Sequence, residues 1–535
     1  MPLRRALRRG PGYGRVRARR PRALLALAAA IATAALLSAG VSDGALPTAS
    51  LPAFGVTAGS GSLSTVAELG DVNGDGIGDY AVGLPSTRIG TSADAGIVYV
   101  FLGRAGQLAP APASLDLSQA AFTISGRVSE MLGYKVVGND VNGDGLADIV
   151  IGAPMAGAPS KSGGGAVYVV FGSTHPASIS TTTLSFAGYT NATTNPATPS
   201  PLGSRYDGFQ QNGHTGMSLA ALPDVNGDGY KDIAVGAPDA SLHRPGGGGV
   251  AVLYGKPTGV HITLNDLWEN GYPYFFHVDY PALDNQHVGM SVASVGDMTG
   301  DGRPDIAIGA PQADPGGRID AGSVWIINGH LPPATGCRRP VVDATCPWIK
   351  LRSLTAAQGY RIDGAVAGEQ LGSSLAGIGD QNGDRIADLA IGEATASPLG
   401  RARAGAVLVV PGQTNSVTRD LRVTPPLQSI AGAMAGAGLG ASLAAAGDVN
   451  GDGRGDLLIG APGESASAGA VYSVLGGPGA SDLANAPSKI APAAAGSMAG
   501  SSIAAGSSLD GGGSDALIAA PGSGSSGAWF VVGGS

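Results

Sequence analysis

Residues 71–85 read DVNGDGIGDYAVGLP, and this stretch decides the fold because it keeps returning. It recurs from Asp140 (DVNGDGLADIVIGAP), Asp224 (DVNGDGYKDIAVGAP), Asp297 (DMTGDGRPDIAIGAP), Asp380 (DQNGDRIADLAIGEA) and Asp448 (DVNGDGRGDLLIGAP). A shortened seventh copy, DGGGSDALIAAP, starts at Asp510, and the spacings are 69, 84, 73, 83, 68 and 62 residues. Repeats of this size mark architectures in which each unit buries its apolar face against its neighbours. A small-residue strand precedes each loop, as in 371–379 (LGSSLAGIG) and 440–447 (GASLAAAG). An apolar run follows, then a second β-rich run such as 165–172 (GAVYVVFG), 322–329 (GSVWIING), 405–412 (GAVLVVPG) or 527–534 (GAWFVVGG). A weaker fourth strand comes next, for example 121–127 (AFTISGR) or 428–433 (QSIAGA). Four short strands per unit, bounded by Gly and Pro, predict a propeller blade. Seven copies predict an all-β protein, a seven-bladed β-propeller of four-stranded blades filling residues 45–535, with no room for a separate catalytic domain. The last unit stops after its third strand, whereas 51–59 (LPAFGVTAG) is an orphan strand. The orphan is expected to close the last blade and cover its open edge.

The loop consensus D-x-N-G-D-G-x-x-D sets side-chain oxygens at positions 1, 3, 5 and 9 and a backbone carbonyl at position 7. It resembles the first nine positions of an EF-hand loop, without the bidentate Glu at position 12, and continues as a strand. Oxygen-only ligands favour Ca²⁺ over Zn²⁺ or Mg²⁺, and converging carboxylates are costly unless a cation neutralises them. An Asx turn that binds nothing is the alternative for any single copy. Four candidate sites have the full pattern: Asp71, Asn73, Asp75, Ile77, Asp79; Asp140, Asn142, Asp144, Leu146, Asp148; Asp224, Asn226, Asp228, Tyr230, Asp232; and Asp448, Asn450, Asp452, Arg454, Asp456. The fourth copy offers Asp297, Thr299, Asp301, Arg303 and Asp305, with a hydroxyl at position 3. The fifth offers Asp380, Asn382, Asp384, Ile386 and Asp388, with Arg385 where Gly would permit positive φ. Ile77, Leu146, Tyr230, Arg303, Ile386 and Arg454 would ligate through their carbonyls. Up to six Ca²⁺ are expected, and the seventh loop at Asp510 is expected to be empty.

Composition supports a turn-rich globular chain: 535 residues contain 89 Gly and 36 Pro, with 13% charged, 5% aromatic and 43% hydrophobic residues. The apolar content excludes generic disorder, and the glycines lack the three-residue period of collagen. Residues 1–22 hold nine Arg and no acid, and an Ala/Leu-rich stretch follows to about residue 40. That is the pattern of a secretory signal with cleavage near 38–45. An uncleaved anchor remains the alternative, and Arg19 and Arg20 leave a twin-arginine route open beside the general one. Beyond residue 44 the chain carries 23 basic and 39 acidic residues, a net charge of −16, against −8 for the whole. Nucleic acid and anionic membrane are therefore poor partners. Cys337 and Cys346 predict a local disulfide in an exported chain.

The repeats resemble the FG-GAP repeat, the unit of the integrin α-chain N-terminal β-propeller. The GAP tripeptide begins at Gly152, Gly236, Gly309 and Gly460, with variants GLP at Gly83, GEA at Gly392 and AAP at Ala519. The Phe-Gly half is degraded to Leu132-Gly133, Leu371-Gly372, Leu439-Gly440 and Val288-Gly289. The resemblance implies calcium loops on the lower face of the ring and ligand contacts mainly on the upper face. The longest loops, 173–212, 256–286 and 330–360, should share the calcium face. No inserted I domain fits between the second and third blades, and no leg domains or C-terminal membrane segment are expected, so the resemblance is to a free-standing, bacterial-type propeller.

Other signals carry less. Arg454, Gly455 and Asp456 spell RGD, but Asp456 is position 9 of a calcium loop. His175, His214, His243, His261, His277, His287 and His330 are scattered, and no HExxH or GxSxG occurs. Trp325 and Trp529 sit in third-strand runs and suit the core; Trp268 and Trp348 could stack on sugars. The expected function is a secreted or cell-surface-associated, monomeric, calcium-stabilised adhesion or protein-interaction module with an extracellular protein or matrix partner and no membrane insertion after signal cleavage. A glycan-binding, lectin-like propeller is the alternative, with a calcium-dependent polysaccharide lyase or phosphodiesterase behind it. No catalytic constellation points to an enzyme.

Overall fold

The computed structural model describes residues 54–55, 65–104, 117–157, 163–184, 201–208, 211–241, 246–264, 275–277, 285–329, 348–448, 452–477, 479–485, 489–490, 495–506, 516–522 and 528–532. The leader, both cysteines, Asn450, Trp268 and the seventh loop at Asp510 lie outside them, as do the side chains of Trp348 and Trp529.

Among the described residues the fold is all-β, and helix is confined to turns of three or four residues such as Glu464–Ser467. The strands form seven small sheets. The first joins Thr65–Gly70, Asp79–Leu84, Ile97–Phe101 and Phe122–Ser125 as antiparallel neighbours. The second joins Lys135–Asn139, Asp148–Ala153, Ala166–Val170 and Gly203–Asp207 in the same way. The third runs Ser218–Leu222, Asp232–Gly236, Gly249–Leu253 and Phe275–His277. The fourth runs Ser291–Ser294, Ile306–Ala310, Ser323–Ile327 and Gly359–Asp363. Ser374–Gly379, Asp388–Glu393, Ala406–Val410 and Gln428–Ala431 make the fifth sheet. Ser442–Gly447, Asp456–Ala461, Ala470–Val474 and Lys489–Ile490 make the sixth. The seventh joins Ile503–Ala505, Ala516–Ala520 and Ala528–Val532, and Phe54–Gly55 pairs antiparallel with Ala528–Val532 on its outer side. Neighbouring first strands touch in sheet order, and that of the seventh sheet touches that of the first.

The sequence reading assigned four strands per unit; five sheets carry a fifth. Ile179–Ser180, His261–Thr263, Trp348–Lys350, Arg419–Asp420 and Gly479–Asp482 each add, in parallel, to the fourth strand of the preceding sheet. Each comes from the connection between third and fourth strands of the next unit, so these five connections each lace two sheets together. These strands are two to four residues long and mostly lack an apolar alternation, so no sequence pattern announces them. The fourth strand Gly203–Asp207 (GSRYD) also lies inside what reads as the 173–212 loop. It is buried on both faces, with Arg205 Nη2 ion-paired to Asp207 at 2.7 Å, so charge hides a strand that is internal.

The core lies in layers between sheets. Val150, Val167 and Val169 of the second sheet pack with Ile233, Val235 and Leu253 of the third, and similar clusters fill the other seams. Second strands are therefore buried on both faces, which is why they read as unbroken apolar runs. Trp325 is fully buried and donates its indole N–H to the Leu351 carbonyl at 2.9 Å.

The glycines of the repeat signature sit where these layers meet. An added Cβ at Gly83, Gly152, Gly236, Gly309, Gly392 or Gly460 would lie 2.0–2.3 Å from the carbonyl oxygen of Gly133, Gly216, Gly289, Gly372, Gly440 or Gly500 on the next sheet. Four of those carbonyls accept a hydroxyl hydrogen bond from Ser218, Ser291, Ser374 or Ser442 of the preceding sheet, at 2.6–2.7 Å. Backbone thus meets backbone at each seam, a fit that only glycine allows. The serines were not singled out from the sequence, although their recurrence two residues after the seam glycine is a readable signal.

Candidate metal loops

In the first six sheets the first-to-second-strand connection is one of the repeated acidic loops, and all six share one hydrogen-bond plan. The position 1 carboxylate accepts the position 4 N–H at 2.6–2.8 Å in the first five loops. It accepts the position 6 N–H at 2.7–3.1 Å in all six. The position 5 carboxylate accepts the position 7 N–H at 2.8–3.0 Å. Where Asn occupies position 3, as in Asn73, Asn142, Asn226 and Asn382, its Nδ2 donates to the position 5 carboxylate at 2.9–3.0 Å. Thr299 instead turns toward Asp305, donating its N–H at 2.9 Å.

Position 9 has a different role. Asp79, Asp148, Asp232, Asp305, Asp388 and Asp456 are buried at the start of, or just before, their second strands. One carboxylate oxygen of each accepts the N–H of the glycine after the third strand: Gly103, Gly172, Gly255, Gly329, Gly412 or Gly476, at 2.8–3.0 Å. In the first five loops the other oxygen accepts the position 2 N–H at 2.8–2.9 Å. Position 9 is therefore a staple from loop to third strand, which the ligand reading of the sequence did not reveal. Burial pushes Asp79 and Asp388 up to about 6, and Asp148, Asp232 and Asp305 up to about 7, with the other loop carboxylates pushing the same way.

The donor set fits a hard dication. Every candidate ligand atom is an oxygen, and among the described residues the ion pairs engage Asp207, Asp239, Asp363, Asp420, Asp482 and Glu464 rather than the carboxylates of the first five loops. The position 7 carbonyls of Ile77, Leu146, Tyr230 and Ile386 accept no backbone hydrogen bond among the described residues. Among those same residues, no three His, Cys, Asp or Glu side chains stand as a ready-made cage. In the first five loops the position 9 carboxylate is engaged by two amides.

Neighbouring loops are tied through their backbones. Ala147 N–H donates to the Asp71 carbonyl at 2.8 Å, and Ala387 N–H to the Asp297 carbonyl at 2.9 Å. Gln381 Nε2 reaches the Gly455 carbonyl of the next loop at 2.8 Å. An open cleft of about 340 Å³ lies between the first two loops, lined by Glu68, Asp71, Asn139, Asp140 and Lys231 among others.

In the fifth loop Arg385 takes the glycine place at φ +70°, and its N–H still reaches Asp380 at 2.7 Å. The turn therefore survives at the cost of left-handed backbone strain. Replacing Arg385→Gly should stabilise the chain by about 1 kcal/mol, read as a small rise in melting midpoint.

At the opposite end of the sheets, two of the scattered histidines meet. His214 Nδ1 and His287 Nδ1 flank the Asp239 carboxylate at 2.5 and 2.9 Å, and hydrogen bonding to His287 and then His214 holds Asp239 below the usual carboxylate range. Among the described residues no helix is long and apolar enough to cross a membrane.

The FG-GAP repeat family matches residues 133–170, 215–253, 288–327 and 439–474, each running from a seam residue to the end of a third strand or just past it. Integrin alpha-PS2 of Drosophila melanogaster is 32% identical over 206 residues, covering 36% of this chain and 12% of that protein. Integrin alpha-5 of Xenopus laevis is 28% identical over 252 residues, covering 45% of this chain and 19% of its own length. Phosphatidylinositol-glycan-specific phospholipase D of Mus musculus is 31% identical over 219 residues, 39% of this chain and 22% of that enzyme. The chain thus spans less than a quarter of the length of each of these relatives. With FG-GAP repeats at four of the seven sheets and the signature glycines at the seams, the chain carries FG-GAP repeats and resembles the N-terminal domain of integrin α chains.

Proposed function

We propose that residues 45–535 form a seven-bladed β-propeller, closed by the N-terminal strand, that acts outside the cell as a calcium-stabilised adhesion or protein-interaction module. The observation that carries this reading is the sixfold recurrence of one all-oxygen loop in FG-GAP repeats. Asp71, Asn73, Asp75 and Asp79 would hold one Ca²⁺ with the Ile77 carbonyl, and the matching residues of the other five loops would hold theirs. Calcium supplies the positive charge these clustered carboxylates lack. Residues 1–44 would export the chain, and Cys337 and Cys346 would pair in that environment.

The loops at the other end of the sheets favour a protein partner over a sugar. Val128, Met155, Ile319, Val366, Leu399 and Met434 are all exposed in second-to-third and fourth-to-first connections. Seven of the eleven exposed large apolar side chains among the described residues, Met498 included, lie at this end, and such side chains suit protein contact better than a polar glycan.

Binding of the purified chain to a panel of extracellular-matrix and cell-surface proteins, in millimolar calcium and in excess EGTA, tests the proposal. Calcium-dependent capture by a protein is the expected result. Binding confined to a glycan array would make it a lectin. One relative is named as a phospholipase D, so turnover on a phosphodiester panel, abolished by a single Asp→Ala change in a loop, would make it an enzyme.

A further inference from the structure

The fifth sheet departs from the others at one buried place. Its second strand ends in Glu393, where Ala153, Ala310 and Ala461 end theirs in the second, fourth and sixth sheets. Those alanines pack into the layer shared with the preceding sheet, with Val98 and Val100, with Val250 and Val252, and with Val407 and Val409 respectively. The same register turns Glu393 into the seam between the fourth and fifth sheets, where it is 3% exposed.

Two other glutamates are as deeply buried, and both are satisfied. Glu130 accepts Tyr168 Oη at 2.7 Å, Thr181 Oγ1 at 3.0 Å and the Arg127 N–H at 2.9 Å. Glu464 accepts Tyr472 Oη at 2.7 Å and is ion-paired to Lys489. The Glu393 carboxylate has no hydrogen bond and no cation among the described residues. Among the described residues the one charged group facing it is Glu369, of the same sign, from the connection that enters the fifth sheet. An isolated carboxylate in such a place costs far more than the neutral acid.

We propose that the seam between the fourth and fifth sheets is a proton-linked latch: Glu393 enters the folded seam as the neutral acid, and its ionisation in alkaline medium loosens the seam. This does not depend on the calcium reading. Burial, and then Glu369, push Glu393 up to about 8, while burial also raises Glu369. The sign follows from linkage. The folded chain holds a proton that the unfolded chain releases at ordinary carboxylate pH, so stability is greatest in acid. It declines as pH rises toward the folded value and then levels off.

The test compares melting of the wild type with Glu393→Gln and Glu393→Ala from about pH 5 to about pH 9, in saturating calcium. Glu393→Gln keeps the shape of the neutral acid, and Glu393→Ala restores the residue the other seams use. The wild type should lose about 3–5 °C relative to both variants across that range. Protection factors of the Ala406–Val410 amides, corrected for base-catalysed intrinsic exchange, should fall at alkaline pH in the wild type alone. Glu369→Gln should move the midpoint of the difference curve toward acid. A wild-type-minus-variant difference that stays constant with pH in both variants overturns the latch.

Discussion

In excess EGTA the melting temperature should fall by about 10–15 °C from its value in millimolar calcium. A ligand that binds only the folded state stabilises by mass action, about 2.7 kcal/mol per site when its concentration is a hundredfold above Kd. Six such loops would add about 16 kcal/mol, and a chain of this length unfolds with an entropy near 1 kcal/mol per degree. The single-residue controls separate metal binding from stapling. Asp144 is exposed and bonds only within its loop, so Asp144→Ala should remove about one-sixth of the calcium increment and leave the EGTA curve in place. Asp148 holds the Val141 and Gly172 N–H groups, so Asp148→Asn should lower the melting temperature even in EGTA. A wild-type curve indifferent to EGTA would sink the calcium proposal and leave the staples standing.

Gly309→Ala should destabilise by about 2–4 kcal/mol, whatever the calcium concentration. Its φ is outside the left-handed region, so the requirement is for space alone. A Cβ there would lie 2.2 Å from Ser291 Oγ and 2.3 Å from the Gly372 carbonyl oxygen. Those two atoms are hydrogen-bonded to each other at 2.7 Å across the seam, so the methyl group would break the bond and part the sheets. Gly302→Ala is the contrast: nothing lies within 4 Å of its Cβ, and its φ of +86° would cost only about 1 kcal/mol. Equal losses in the two variants, measured by denaturant unfolding, would show that the seam has room to relax.

Much of the molecule is legible in one dimension because its signals are local. The spacing of D-x-N-G-D-G-x-x-D marks every loop in the described residues, and the apolar runs from Asp79, Asp148, Asp232, Asp388 and Asp456 mark second strands buried on both faces. Residue type alone identifies the loop residues as oxygen donors. What each donor does was not legible. Asp79 and Asp75 are both aspartates four residues apart, yet one is buried against Val72 and Gly103 and the other is exposed. Gly103 lies 24 residues beyond Asp79, and no local rule links them.

By itself, then, the sequence determined the repeat, the all-β class and the chemistry of the loops, because periodicity and residue type act over a few residues. Tertiary structure alone decided the rest. It set the fifth strands laced into a neighbouring sheet, the serine hydroxyls that close four of the glycine seams, and the burial of Glu393 without a hydrogen-bond partner among the described residues. Each of these depends on groups far apart in the chain meeting across a seam, and burial and hydrogen-bond partners exist only once the sheets have met.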